Sequence, residues 1–213
     1  MQVQFKLNGV KVSKNIPSCW DEVTFRQLLA YTKAKDEVEV LSVFTEIDTE
    51  TLRKSKIANL QTLLALLSFL KNQPIDYTLP KTIRGHEVSQ DVEIQEIERY
   101  AALENILKTF KDGDPTNLEK YPLVVATYCC DLDKAESMSE YFMDAPAMEV
   151  LAIGHFTLLK LIGSTARIPK HSQSRSIRLK RFKLGLKTWL RNMAVMVRFY
   201  TWNGKQAITG KKS

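Results

Sequence analysis

The stretch Ile57-Ala58-Asn59-Leu60-Gln61-Thr62-Leu63-Leu64-Ala65-Leu66-Leu67-Ser68-Phe69-Leu70 decides the fold class. Ile57, Leu60, Leu63, Leu64, Leu67 and Leu70 recur at spacings of 3, 3, 1, 3 and 3 residues. That is the period of a helix face, not the alternation of a strand. Leu66 and Phe69 widen the stripe, which predicts a helix buried on more than one side. Toward the N-terminus the same grammar continues. Asp48 or Thr49 can cap a short helix through Leu52, and Asp36 can cap another with Val38, Leu41 and Phe44 inward. Thr24 and Gln27 have capping-box spacing for a helix over about 24–34, with Trp20 and Val23 placed to staple against it. Ahead of them, Val3, Phe5 and Leu7 alternate with polar residues, Asn8-Gly9 supplies a type I′ turn, and Val10 and Val12 resume the alternation. This predicts a small N-terminal hairpin, ended by Pro17.

Toward the C-terminus the pattern breaks and then resumes. Pro74, Pro80 and Gly85 interrupt residues 73–92, while Ile75, Tyr77 and Leu79 alternate, so an extended arm or a second hairpin is expected. Helices follow at about 93–110, 117–129, 134–142 and 146–163, with a loop from Lys111 to Pro115. The last helix has Asp144 at its cap and Pro146 in its first turn. Residues 164–175 read as a linker and 175–200 as a further helix. The fold expected is mainly α: an irregular multi-helix domain with a small N-terminal β-hairpin and a long basic C-terminal helix. Two parts are expected, a helical body over 1–163 and a basic linker, amphipathic helix and tail over 164–213.

Charge is distributed unevenly. The last acidic residue is Glu149. Residues 1–149 carry 24 acids and 17 bases; residues 150–213 carry 14 bases and no acid, so the net +7 hides a body near −7 and a terminal third near +14. Mixed signs serve solubility better than such a split, which suits contact with something acidic. In helix 175–200, Leu179, Phe182, Leu186, Trp189, Met193, Met196 and Tyr200 alternate steps of 3 and 4, a heptad-like seam. Arg175, Arg178, Lys180, Arg181, Lys183, Lys187, Arg191 and Arg198 supply its charge. Three readings stand: the seam packs on the protein's own acidic body, it meets a protein partner, or it meets nucleic acid or an anionic membrane. No helix-turn-helix, zinc or RNP motif accompanies the charge, which weighs against nucleic acid.

Chemistry is scarce. Neither a Walker A, a GxGxxG nor a GxSxG occurs, and Asp112-Gly113-Asp114-Pro115 is too short for a calcium loop. Cys19, Cys129 and Cys130 are an odd set without metal-ligand spacing, and adjacent cysteines suit a mutual bridge poorly. Free thiols in a reducing compartment are expected, with Cys129 and Cys130 buried. A Cys–His nucleophile using His155 lacks an oxyanion motif, so His155 reads as a hydrogen-bonded core or interface histidine. His86 reads as a turn residue and His171 as a solvated one. No catalytic residue, metal or cofactor is expected. The opening MQVQFKLNGVKV alternates, unlike a secretory signal, and the apolar run Ala145–Ser164 holds Glu149, His155 and Lys160, so a buried helix is expected and not a membrane span.

A resemblance adds to this. Ile16, Pro17, Trp20, Glu22 and Thr24 precede a helix; Leu79 to His86 reads Leu-Pro-Lys-x-Ile-x-Gly-His; Tyr121 to Tyr128 reads Tyr-Pro-Leu-Val-Val-Ala-x-Tyr; Ala135-Glu136 follows; and Pro146 to Phe156 reads Pro-x-x-Glu-Val-Leu-x-x-Gly-x-Phe. In this order, over about residues 16–160, the chain resembles structural and tail assembly chaperone proteins of tailed bacteriophages, especially those of Bacteroidetes-type hosts. The resemblance implies a non-enzymatic protein that binds other phage proteins during virion or tail assembly. It implies the host cytoplasm during infection or the virion as its location. The basic terminal segment lies outside the matching part.

Overall fold

The computed structural model describes residues 1–7, 10–72, 78–90, 96–111 and 114–165. These residues are mainly helical, with a two-stranded hairpin at the N-terminus. The chain divides into two units, residues 1–91 with 118–157 and residues 92–117 with 158–213.

In the first unit, β1 (Gln2–Leu7) pairs antiparallel with β2 (Val10–Asn15), Val3 opposite Lys14 and Phe5 opposite Val12. The expected Asn8-Gly9 turn lies outside the described residues. The Thr24 capping box forms as its spacing requires. Thr24 Oγ1 accepts from the Gln27 N–H at 3.2 Å, and Gln27 Oε1 accepts from the Thr24 N–H at 3.1 Å. It opens α1 (Phe25–Lys33), which buries Phe25, Leu28 and Leu29. Asp36 caps α2 (Glu37–Thr45) through the Glu39 N–H at 2.8 Å, and Leu41 and Phe44 are fully buried. Asp48 caps α3 (Thr49–Arg53) through the Thr51 N–H at 2.7 Å and brings Leu52 to 0 % exposure. Such caps contribute about 1 kcal/mol each.

The leucine stripe forms α4 (Ile57–Leu66), then tightens into a 3₁₀ turn over Ser68–Lys71. Leu63, Leu67 and Leu70 are buried, but Ile57 stands 73 % exposed, so the inward face begins a turn later than the periodicity suggested. Trp20 holds the tightened end: its ring meets Phe69 edge-on at 5.8 Å, and its indole N–H donates to the Asn72 carbonyl at 2.7 Å. α2 packs against α1, α3 and α4.

Within the 73–92 segment the second hairpin forms: β3 (Thr82–Ile83) pairs with β4 (His86–Glu87). Arg84 and Gly85 both have positive φ, 46° and 87°, as a two-residue hairpin turn requires. Residues 73–77 and 91–95 of this region lie outside the described set. Further on, α6 (Tyr121–Cys129) starts later than expected, after α5 (Ile97–Lys108) of the second unit and a 3₁₀ turn over Pro115–Lys120. Pro122 is the reason. It lacks an N–H and its ring clashes with the carbonyl four residues back, so an α-helix through 118–122 is barred while Pro122 in the first turn is tolerated. α6 is apolar nearly all round and buried nearly all round, with Val124, Val125 and Ala126 at 0 %.

α7 (Ala135–Met143) packs on α6 and on α1, and α8 (Ala147–Thr165) follows. The expected cap of α8 by Asp144 does not describe that residue's role. Its carboxylate accepts from Arg26 Nε at 2.8 Å, and the Pro146 carbonyl accepts from the Val150 N–H. At this junction Thr24 and Pro146 form an antiparallel bridge: the Phe25 N–H donates to the Ala145 carbonyl at 2.9 Å and the Ala147 N–H to the Val23 carbonyl at 2.7 Å. α8 continues through Thr165, two residues beyond its expected end; the rest of the expected linker and the expected terminal helix fall outside the described residues.

In the second unit, Leu103 of α5 and Leu158 and Leu161 of α8 are buried, whereas Ile97 is 85 % exposed. Glu96 pairs with Arg99 and Glu104 with Lys108 along α5.

Gly154 marks a close helix approach in the first unit. A Cβ there would overlap the ring of Tyr121, itself 2 % exposed. Gly154→Ala is therefore expected to lower stability by about 1–3 kcal/mol through overpacking, read as a shift in the midpoint of denaturant unfolding. A gain in stability, from the better helix propensity of alanine, would refute the close approach.

Candidate functional site

The bases and apolar seam singled out between Arg175 and Tyr200 lie outside the described residues, as does His171. What the described residues bring together lies in the first unit, around the second hairpin.

The hairpin turn sets Arg84 and His86 against α7. The Arg84 guanidinium stacks on Tyr141, 3.9 Å from the ring centroid, and donates to the Tyr141 carbonyl at 2.8 Å. This anchors a non-glycine residue in a left-handed conformation that is otherwise uncommon. The His86 ring packs edge-on against Phe142 at 5.6 Å and Tyr141 at 6.3 Å. Its Nδ1 lies 3.5 Å from Cys130 Sγ, within hydrogen-bond reach for sulfur. Below the pair, the Tyr128 hydroxyl donates to the Ser89 carbonyl at 2.8 Å, tying α6 to the strand exit.

Cys130 is buried, Cys129 half-buried and Cys19 exposed, and none forms a disulfide. The histidine within hydrogen-bond reach of Cys130 is thus His86. His155 departs from expectation in another way: its Nδ1 is buried with no hydrogen-bond partner, and burial lowers its pKa. The only sequence signal for the true pairing was Gly85-His86 beside a hairpin turn, and no spacing rule links that to a helix end 44 residues away.

Several charges on the first unit are paired with one another. Glu136 and Glu140 lie one turn apart on α7, and Asp144 follows directly after its last residue. Arg26 bridges two of them, to Asp144 at 2.8 Å and to Glu140 at 2.6 Å, and these bonds raise its pKa. Lys33 pairs with Glu119, Arg53 with Asp36 and Lys134 with Asp131. The Glu39 N–H, then Arg53, hold the Asp36 carboxyl below its ordinary range. Among the described residues no cluster of three His, Cys, Asp or Glu suits a metal ion, and no described helix is long and apolar enough to cross a membrane.

No protein-family model, curated protein or solved structure matches this chain.

Glu149, the last acid of the chain, has its pKa raised, first by burial and then by the nearby Asp21. Between the ordinary value of 4.5 and the raised one, the folded state holds more protons than the unfolded state, so stability falls as pH rises through that window. Glu149→Gln is expected to raise the unfolding temperature near neutral pH and to leave it unchanged at about pH 3, where the carboxyl is protonated in both states. Thermal melts at the two pH values check this; equal shifts at both would refute it.

Proposed function

We propose that this is a non-enzymatic protein that acts by protein–protein recognition, of the kind tailed bacteriophages use in virion or tail assembly. The observation that carries the reading is the charge split: 14 bases and no acid after Glu149. The ion pairs of the body support it, because Glu140, Asp144, Glu119, Asp36 and Asp131 are engaged by the body's own cations. Such exposed pairs are individually weak, about 0–1 kcal/mol, but they lessen the local charge on offer to the terminal segment. That segment is then served better by an acidic face on another protein. The seam from Leu179 to Tyr200 supplies apolar contact, and Arg178, Arg181, Lys183, Lys187 and Arg191 select an acidic partner and speed the encounter. The order of motifs from Ile16 to Phe156 supports the phage setting and a location in the host cytoplasm during infection or in the virion.

The second reading is a nucleic-acid-binding accessory protein, which the same positive segment favours. Affinity capture from infected cells, with the full chain and with a chain ending at residue 164, separates the two. Phage proteins retained by the full chain and lost from the shorter one are expected; identical partner lists would refute the proposal. In a salt titration with duplex DNA and single-stranded RNA, the second reading demands a log–log affinity slope of roughly −0.9 per neutralised phosphate. No shift at low salt is expected.

A further inference from the structure

From the placement of Cys130, we propose that this residue and His86 form a thiol–imidazole pair that makes Cys130 the peroxide-reactive cysteine of the protein, a modification site independent of the terminal segment. Two features of the first unit carry this. Sγ and Nδ1 are 3.5 Å apart. The His86 ring is held from two sides by Tyr141 and Phe142, so the nitrogen is aimed and not wandering.

The position of Cys130 explains why a base is needed. It is the residue that closes α6, its N–H donating to the Ala126 carbonyl at 2.9 Å. The negative end of a helix disfavours a bare thiolate there. Transfer of the thiol proton to Nδ1 offsets that conflict, because the imidazolium sets a positive charge beside both the thiolate and the helix C-terminus. At 8 % exposure the thiol admits only a small reagent, which selects hydrogen peroxide over a bulky disulfide. The step balances. The thiol proton passes to Nδ1; the sulfur attacks one peroxide oxygen, an S–O bond forms and the O–O bond breaks. The departing hydroxide takes the proton back from the imidazolium as water. Cys130 becomes a sulfenic acid, oxidised by two electrons, and the peroxide is reduced.

The test uses the purified full chain. Hydrogen peroxide is added, the reaction is stopped by denaturation with iodoacetamide, and the reduced fraction at each cysteine is followed by peptide mass spectrometry, fragmentation separating Cys129 from Cys130. Cys130 is expected to be consumed at least about tenfold faster than the exposed Cys19, a modest share of the roughly 10²–10⁴ that a positioned base can supply. In His86→Gln, with its far-ultraviolet dichroism retained, the excess is expected to vanish. Wild-type Cys130 consumption is also expected to rise with pH earlier than that of Cys19 between about pH 5 and 9. That measurement decides the matter even if the variant does not fold. Equal rates at Cys130 and Cys19, an unchanged rate in a folded His86→Gln, or coincident pH profiles would each overturn the proposal.

Discussion

The first unit depends on a short antiparallel bridge between segments more than 100 residues apart. Val23, Thr24 and Phe25 exchange main-chain hydrogen bonds with Ala145, Pro146 and Ala147. Val23, Phe25, Ala145 and Ala147 are all fully buried, so these backbone groups have no water to turn to, and each bond lost would leave a polar group stranded at a cost of about 1–3 kcal/mol. The bridge also sets direction. It places the start of α1 against the start of α8 and the end of α7, and brings Arg26 to the carboxylates of Glu140 and Asp144. Proline suits the centre of this bridge because Pro146 makes neither of its two hydrogen bonds: the Phe25 N–H donates to the Ala145 carbonyl and the Ala147 N–H to the Val23 carbonyl, while the Pro146 carbonyl accepts from Val150 in α8.

The small hairpin over Thr82–Glu87 is a second, lesser tie. Alone, two residues per strand have no stability worth the name. It persists because Ile83 is fully buried, Arg84 is stacked on Tyr141, and His86 sits between aromatic rings and the Cys130 thiol. The same contacts that stabilise the turn gather the chemically capable side chains of this unit. The other resource of the chain, its cationic terminal third, is separate from them in sequence. Several acids of the first unit pair with its own bases, whereas the sequence after Glu149 holds no acid at all.

Local features were legible before any coordinates. Thr24, Asp36 and Asp48 cap the helices their positions suggested, since a cap needs only a short side chain and N–H groups two or three residues away. The N-terminal hairpin follows from alternation in the same way. What escaped were features set by distant partners. Ile57 belongs to the periodic stripe yet faces outward, because periodicity says which residues share a face and not how far a neighbour covers it. Asp144 had the form of a cap but was nearer to Arg26. α6 began late because Pro122 governs the turn before it, a rule present in the sequence but outweighed by the run of helical residues around it.

By itself the sequence determined the helical class, the N-terminal hairpin, the caps and the partition of charge. All of these are properties of neighbours along the chain or of simple composition. Only the tertiary structure decided that His86 meets Cys130, that Gly154 lies under the ring of Tyr121, and that Val23–Phe25 is sewn to Ala145–Ala147. These depend on how helices cross in space. Such crossings are set by the summed burial of many side chains, and no single spacing in the chain records them.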